Sequence, residues 1–245
     1  SPETVLTAIM HVNNETGAIQ PIEEAAKIVK ERSRSLFFSD GVQGFLKVPF
    51  SLKDRQIDGY SMSGHKINGP KGIGALYINN KVRIKPVFLG GGQEKGLRSG
   101  TENVPGIAGL AKGVQLYKDD YLSLAEENLL KKKKFSEKLK ELIPSIKINS
   151  HIDERSSSYI LNCSLPGIRG ETILHFLEEN KIYVSTGSAC SGKDKSYSHV
   201  LKAMNLDEKY LKGAIRISMA LGQWPEEKEI NYIIEKLKEA LERLG

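Results

Sequence analysis

The first part of the chain alternates short apolar runs with polar turns that contain glycine. The runs predict five strands, over residues 5–12, 36–38, 59–62, 73–78 and 84–89. Between the first two strands, apolar residues at helical spacing predict a helix over 22–32. A strand, a helix and a second strand in this order favour a right-handed crossover in an open α/β sheet. Ligands of such sheets bind at the carboxyl ends of the strands.

The second part of the chain predicts a smaller α/β unit. Its predicted helices cover residues 117–143, 171–179, 199–204 and 226–244, and its predicted strands cover residues 159–163, 182–185 and 213–219. We therefore predict two domains, over residues 1–116 and 117–245. Within the first of these helices, four consecutive lysines, Lys131–Lys134, are typical of a solvated helix face.

Composition excludes several classes of protein. With 245 residues, 39% of them hydrophobic and 27% charged, the chain can bury a substantial core, so neither a disordered chain nor a stapled miniprotein fits. A net charge of +6 is too small to indicate a nucleic-acid partner. No apolar run is long enough to span a membrane, and two cysteines exclude a disulfide framework. We expect a cytoplasmic protein that has no membrane or direct nucleic-acid partner.

Two strand ends carry side chains that suit one cofactor. Asp40 directly follows an apolar strand, and Gln43 comes three residues later. A later strand runs into a glycine-rich turn in which Ser63 and His65 precede Lys66. These are the parts needed to hold pyridoxal phosphate, because the lysine forms the Schiff base, the carboxylate keeps the ring nitrogen protonated, and the hydroxyl and imidazole bind the phosphate.

Other interpretations of the same residues stay open. A lysine in a turn is most often a surface residue, which is the alternative for Lys66 taken alone. Residues 187–194 approach a nucleotide phosphate loop, but Asp194 stands where a hydroxyl must bind magnesium. Cys190 and His199 could form a thiol hydrolase dyad, although no orienting acid is evident.

The two cysteines have different sequence surroundings. Cys190 lies in a loop of glycine, serine and lysine, where Lys193 and Lys195 favour the thiolate. Cys163 lies in an apolar strand and is predicted to be a small core residue. The five histidines and two cysteines show no zinc-ligand spacing, so we predict no structural metal.

Six stretches of the chain resemble the cysteine desulfurases of the NifS/IscS type. They are HVNNETG at 11–17, SDGVQ at 39–43, SGHK at 63–66, GGGQE at 90–94, LRSGT at 97–101 and GSAC at 187–190. The resemblance implies an aspartate-aminotransferase-like fold, fold type I of the pyridoxal phosphate enzymes. In this chain the fold would comprise part of the large domain, with a central, mostly parallel sheet, and a smaller C-terminal α/β domain.

The resemblance also implies roles for the residues that bind the cofactor. Lys66 would be bonded to pyridoxal phosphate and would carry the substrate Cα proton. Asp40 would pair with the ring nitrogen, and Gln43 with Asn14 would contact the ring hydroxyl. Ser63 and His65 would bind the phosphate. Thr101 is expected to reach the phosphate of the neighbouring subunit of a homodimer.

Further roles concern the substrate. Arg216 and Asn14 would bind the carboxylate of L-cysteine, which becomes L-alanine while its sulfur moves to Cys190 as a persulfide. Cys190 is also the one candidate for a transient iron–sulfur ligand. The sulfur acceptor implied by the resemblance is an iron–sulfur scaffold, a tRNA-thiolating enzyme or a thio-cofactor pathway.

The chain lacks a counterpart to the first part of the family's sequence. Members of the family begin with roughly 140 further residues, which supply the first strands and a histidine that stacks on the cofactor. We therefore expect this chain to be a piece of a longer polypeptide. The alternative is a non-catalytic fragment that acts only as a docking or complementing domain.

Overall fold

The structure, a computed structural model, describes residues 3–53, 56–187 and 197–245. These residues form two compact units. The first unit consists of the residues up to Val12 together with Gln20–Leu122, and the second consists of Asn13–Ile19 and Ser123–Gly245. The predicted division into two domains, over residues 1–116 and 117–245, stays a prediction.

The first unit contains a four-stranded sheet. Its strands are β1 (Leu6–Met10), β2 (Leu36–Asp40), β3 (Gly59–Ser63) and β4 (Gly74–Ile78), in that spatial order. The first three strands are parallel and β4 is antiparallel to β3. Helix α1 (Ile22–Arg32) forms the crossover between β1 and β2. The prediction of a mostly parallel sheet is confirmed.

Helix α1 packs on this sheet through one apolar face. Ile22 and Ala26 are buried in a core cluster with Phe37, Ile57 and Tyr60. Acidic residues in the first turn and basic residues in the last turn of α1 complement the helix dipole. Burial of these side chains fixes which face of the sheet is covered, and leaves the strand ends for polar residues.

The fifth predicted strand, over 84–89, is wrong. This segment has irregular backbone, and its apolar side chains Ile84, Val87, Phe88 and Leu89 are exposed. Pro86 lacks the N–H that a sheet ladder requires, which explains why an apolar run does not become a strand here. The helix predicted over 117–143 is confirmed as α3 (Tyr121–Leu142), and a separate helix, α2 (Val104–Tyr117), precedes it.

The second unit is built around a three-stranded antiparallel sheet. Its strands are β5 (Lys147–Ile148), β6 (Ile160–Ser164) and β7 (Ala214–Ser218). Besides α3, its helices are α4 (Gly170–Glu179), α5 (His199–Ala203), α6 (Glu208–Lys212) and α7 (Glu227–Leu244). The strand predicted over 182–185 is reduced to a single bridge between Ser185 and Arg216.

The core of the second unit joins its helices to its sheet. Phe135 and Leu139 of α3 and Leu237 of α7 are fully or almost fully buried, in one cluster with Cys163 and Ile215. Within the described ranges, none of the helices combines the length and the apolar character needed to span a membrane. In the same part of the chain, no three His, Cys, Asp or Glu side chains come together as a metal site.

One lysine of the predicted solvated run is buried. Lys132 has 0% exposed surface, whereas Lys133 and Lys134 are exposed as expected. The Lys132 Nζ donates to Ser156 Oγ and to the carbonyl of Ser157, both at 2.9 Å. Burial lowers the pKa of Lys132 to about 7, and the negative charge of Asp153 opposes this shift. The prediction fails at this position because side chains at i and i+3 or i+4 of a helix share a face, and Lys132 shares the buried face of Phe135 and Ser136.

Replacing Lys132 by methionine is expected to change how stability depends on pH. Unfolding returns the side chain to its ordinary pKa of 10.5, so from about pH 7 to 10.5 the unfolded chain binds a proton that the folded chain has released. The free energy of unfolding of the wild type should therefore rise with pH across this window, by up to about 1.4 kcal/mol per pH unit more than that of Lys132→Met. Urea unfolding of both proteins at pH 7 and 9 measures this difference. Parallel pH dependences would contradict the lowered pKa.

Candidate active site

Asp40 ends strand β2 at the carboxyl edge of the parallel strands. Its Oδ1 accepts hydrogen bonds from the backbone N–H of Val42 at 2.9 Å and from Ser61 Oγ at 3.2 Å. Ser61 is its register partner on β3, and the side chain of Asp40 is exposed. The carboxylate is therefore held in place by two donors at the sheet edge where α/β proteins bind ligands.

The turn after Asp40 lies against a buried aromatic group. Gly41 and Gly44 approach the side chains of Tyr60 and His11 so closely that no side chain fits: an added Cβ would stand 2.0 Å from Tyr60 Cζ and 2.5 Å from His11 Nδ1. His11 Nδ1 and the Tyr60 hydroxyl share a hydrogen bond of 2.9 Å. This close packing fixes the turn that carries Gln43, which is half-buried.

His11 and Tyr60 are buried, and together with Phe50 they form an electrically neutral aromatic group. Burial lowers the pKa of His11 to about 4, so its imidazole is uncharged at neutral pH. Burial, followed by the negative charge of Asp40, raises the pKa of Tyr60 well above its usual range. The rings of Phe50 and Tyr60 stack with centroids 5.1 Å apart. A rigid, uncharged wall therefore stands behind the turn between Asp40 and Gly44.

Substituting Gly41 by alanine is expected to destabilise the protein strongly. The new methyl group would overlap the ring of Tyr60, which is 1% exposed and has no room to move. Overpacking of this kind costs about 3 kcal/mol. Gly91→Ala is the matched control, because its Cβ would meet only the side chain of Gln93 in an exposed loop. Equal unfolding midpoints for the two variants would show that the close approach of Gly41 to Tyr60 is absent.

Lys66 lies in a tight turn directly after strand β3. A 3₁₀ turn over Gly64–Ile67 begins at Ser63, the last residue of the strand, and ends at Asn68 in a left-handed conformation with φ of 59°. Ser63 Oγ and His65 Nδ1 share a hydrogen bond of 2.7 Å. The structure thus brings together Ser63, His65 and Lys66, three of the residues predicted to form the site.

Positive charge accumulates around Lys66. Lys47 is buried, and its pKa is lowered to about 8, first by burial and then by the charge of Lys66. The pKa of His65 is also lowered, first by burial and then by Lys66, Lys71 and Lys47. The charges of Lys47, Lys66 and Lys71 repel one another and would be stabilised by an anion, so this lysine cluster fits a phosphate group.

Thr101 lies in an exposed loop of the first unit. In this loop the backbone N–H of Gly100 donates to Gln93 Oε1 at 3.1 Å, which ties the 97–101 motif to the 90–94 motif. The guanidinium of Arg98 lies over the ring of Phe88, 5.5 Å from its centroid. The two motifs therefore form one local structure, and the role of Thr101 toward a second subunit stays a prediction.

Asn14 and Arg216 meet in the second unit. Arg216 lies on β7, and its Nη1 donates to the backbone carbonyl of Asn14 at 2.9 Å. Its Nε is buried and has no hydrogen-bond partner among the described residues. A buried guanidinium N–H without an acceptor is costly, and a carboxylate is the acceptor that matches it best. The donor geometry of Arg216 therefore fits an amino-acid carboxylate.

The segment that presents Asn14 is tightly folded. Asn13 Oδ1 accepts hydrogen bonds from the backbone N–H groups of Glu15 and Thr16, each at 2.9 Å. Glu15 is buried, and its carboxylate accepts a hydrogen bond from Ser198 Oγ, which also caps helix α5. An added Cβ on Gly187 would stand 2.8 Å from Glu15 Oε2. Glu15 therefore contacts residues on both sides of the segment 188–196.

The two cysteines differ in what the structure says of them. Cys163 is fully buried in β6, and burial raises the pKa of its thiol to about 12. This agrees with its interpretation as a core residue. Cys190, Lys193 and Lys195 lie outside the described residues, so their predicted roles stay predictions.

Several residues around the site have no signal in the sequence. The missed residues are His11, Glu15, Lys47, Tyr60 and Lys132. Each is a polar or ionisable side chain that is almost entirely buried, and burial by distant segments is invisible in a local pattern. His11 and Glu15 lie in the stretch at 11–17 that carries part of the family resemblance, and Lys132 lies in the lysine run that was predicted to be solvated.

Comparison with known proteins identifies the class of protein that these features define. The model of the aminotransferase class-V family matches residues 1–231. The chain belongs to the class-V aminotransferase family.

The chain is similar to individual members of this family. It is 42% identical over 241 residues to a cysteine desulfurase of Nostoc sp., covering 98% of this chain and 59% of the relative. It is 39% identical to the cysteine desulfurase IscS of Clostridium botulinum, covering 98% and 60%. A solved structure of a NifS-like protein superposes with a TM-score of 0.86 at 39% identity, covering 98% of this chain and 62% of that one. The chain thus spans about three fifths of the length of the relatives it matches.

Proposed function

We propose that this chain is the greater part of a pyridoxal-phosphate-dependent cysteine desulfurase. In the net reaction the carbon–sulfur bond of L-cysteine breaks and a sulfur–sulfur bond to Cys190 forms. The thiol proton of Cys190 is accounted for by the new methyl group of L-alanine, so atoms and electrons balance without a further oxidant or reductant. The proposal is supported by the similarity to two cysteine desulfurases at 39% to 42% identity.

One observation carries the proposal: Lys66 follows a hydrogen-bonded Ser63–His65 pair at a strand end and lies close enough to buried Lys47 to lower its pKa. Such a cluster provides both an amine for covalent attachment and cationic donors for a phosphate. Asp40, at the end of the adjacent strand, supplies the carboxylate. The residues present therefore fit pyridoxal phosphate.

The residues of the first unit would divide the work of holding the cofactor. Ser63 and His65 would bind its phosphate, Asp40 would face its ring nitrogen, and Gln43 would contact the ring hydroxyl. When bound, the cofactor withdraws electrons from the substrate Cα. Lys66 Nζ would then remove and return the Cα proton, which is the task of a general base. Asp40 is held by two donors, so its carboxylate keeps one orientation.

The residues of the second unit would hold the substrate. Arg216 Nε would donate to the carboxylate of L-cysteine, and Nη1 is oriented by the carbonyl of Asn14. Asn14 would also face the ring hydroxyl through its side chain. Fixing the carboxylate fixes the direction of the Cα–H bond, so that the proton lies where a base can reach it.

Partners and location belong to the same proposal. Cys190 would carry the persulfide to an acceptor, either an iron–sulfur scaffold or a tRNA-thiolating enzyme, and Cys190 is the candidate for a transient iron–sulfur contact. Thr101 would complete the phosphate site of a second subunit, which makes the working form a homodimer. A reduced, reactive thiol suits the cytoplasm.

Cys190→Ser provides the test of the sulfur step. The purified protein, supplied with pyridoxal phosphate and L-cysteine under a reductant, should form L-alanine and sulfide in equal amounts. The variant should keep the visible absorbance of the bound cofactor and lose sulfide release by about a hundredfold or more, because serine is not a sulfur nucleophile. Cys163→Ala is the matched control and should release sulfide as the wild type does. Sulfide release by Cys190→Ser at the wild-type rate would exclude Cys190 as the acceptor.

The non-catalytic alternative makes a different prediction in the same assay. A docking or complementing domain should show neither the absorbance of a bound cofactor nor L-alanine. Absence of both signals in the wild-type protein would therefore favour that alternative over the desulfurase.

A further inference from the structure

Lys132 is a buried lysine that the proposed reaction does not use. It lies on α3 with 0% exposed surface, and its ammonium group makes its two hydrogen bonds to Ser156 Oγ and the Ser157 carbonyl. Burying an amine costs more than burying an apolar side chain of the same length, so a lysine at this position calls for an explanation. Its two acceptors indicate what that explanation is.

Ser156 and Ser157 hold the segment that contains Asn14. The backbone N–H of Ser157 donates to the carbonyl of Gly17 at 2.8 Å, and Ser156 Oγ donates to the carbonyl of Thr16 at 3.5 Å. Gly17 has φ of +78°, and an added Cβ would stand 2.9 Å from Ser156 Oγ. Lys132 thus fixes the two serines against which residues 16 and 17 are packed.

The far end of the same segment contacts the guanidinium of Arg216. The carbonyl of Asn14 accepts from Arg216 Nη1, and the carbonyl of Glu15 accepts from Asn162 Nδ2 at 3.3 Å. Asn162 is the register partner of Arg216 in the sheet of the second unit. A continuous set of hydrogen bonds and packed backbone therefore connects the ammonium of Lys132 with the arginine whose Nε lacks a partner among the described residues.

We propose that Lys132 is a positioning residue for carboxylate binding, acting through Ser156, Ser157 and the 13–19 segment on Arg216. This inference rests on the proposed function, because it takes Arg216 as the group that binds the substrate carboxylate. Lys132 itself touches neither substrate nor cofactor. Its effect is to keep the Asn14 carbonyl in the place that orients the guanidinium.

The test compares two ligands that differ only in the carboxylate. L-Alanine contains the group that Arg216 would bind, and ethylamine is the same molecule without it. Binding of each to the protein loaded with pyridoxal phosphate is measured by calorimetry for the wild type, Lys132→Met, Ser156→Ala, Arg216→Lys and the control Lys133→Met. Lys133 is the neighbouring lysine of the run and is exposed.

Lys132→Met is expected to weaken L-alanine binding about tenfold, the size expected when one hydrogen bond to a charged group loses its geometry. Ethylamine binding should stay within about twofold of the wild type. Ser156→Ala should weaken L-alanine binding by a smaller factor, about threefold, because it removes one of the two contacts of Lys132. Lys133→Met should bind both ligands as the wild type does.

Each contrary outcome identifies what is wrong. Unchanged L-alanine binding in Lys132→Met overturns the inference, and so does an equal loss for both ligands, which marks a structural role only. If Lys132→Met does not fold, Ser156→Ala decides, and unchanged L-alanine binding there overturns the inference. A wild type that binds L-alanine no better than ethylamine refutes the proposed role of Arg216 instead. Loss of the preference in Arg216→Lys but not in Lys132→Met leaves the proposed function intact.

Discussion

Lys66→Ala is expected to abolish turnover of L-cysteine and to leave the cofactor unattached. The wild type, reduced with borohydride and digested, should yield one modified peptide with the cofactor on Lys66, and the variant should yield none. Alanine formation should fall by about a thousandfold or more, because the variant loses both the covalent attachment and the base at Cα. Mass spectrometry and an alanine assay measure the two effects on the same samples.

This prediction assigns the bond to the cofactor to Lys66 and not to Lys47. Lys47 is also buried, and its pKa of about 8 makes its amine easier to deprotonate than the amine of an ordinary lysine. Lys66, however, directly follows the Ser63–His65 pair, whereas Lys47 lies in the segment after the 41–44 turn. Cofactor found on Lys47 in the wild type would contradict the assignment. The control is Lys81→Ala, in an exposed turn, which should behave as the wild type.

Arg216→Lys is expected to lower kcat/KM for L-cysteine by about a hundredfold, with most of the change in KM. Lysine keeps the positive charge but loses the planar donor pair, so it cannot donate both to the Asn14 carbonyl, as Arg216 Nη1 does, and to a carboxylate, as we propose for Nε. Steady-state kinetics of the variant against the wild type measure the loss.

The matched control for this substitution is Arg169→Lys. Arg169 is exposed and pairs with the exposed carboxylate of Glu171, so the same exchange there should leave the kinetics unchanged. If Arg216→Lys kept the wild-type KM, the substrate carboxylate would have to bind elsewhere. The interpretation of the buried Arg216 Nε as a carboxylate-binding group would then be wrong.

The sequence predicts the elements whose patterns are local. Helix α1 has the predicted bounds, Asp40 is the last residue of β2, and Lys66 lies in the turn that follows β3. Periodicity of side chains within one segment is enough to find such elements. Segment 84–89 is apolar too, yet it fails to form a strand because Pro86 removes a ladder donor and its side chains stay exposed.

What the sequence does not predict depends on contacts between distant segments. Nothing near Lys132 indicates that Ser156, 24 residues later, accepts from its ammonium. Nothing near His11 indicates that Tyr60, 49 residues away, shares a hydrogen bond with it and that both side chains pack against the turn of Gly41 and Gly44. These pairs form only when the sheet and the helices are assembled, so a pattern within a short window carries no trace of them.

The burial of Cys163 bears on which cysteine of this chain can carry transferred sulfur. The chain has two cysteines, and the thiol at 163 is enclosed and fully protonated at neutral pH because its pKa is about 12. A protonated, inaccessible thiol neither attacks a donor nor accepts sulfane sulfur. Under the proposed function, sulfane sulfur carried by these 245 residues in their folded state would therefore be bound at position 190.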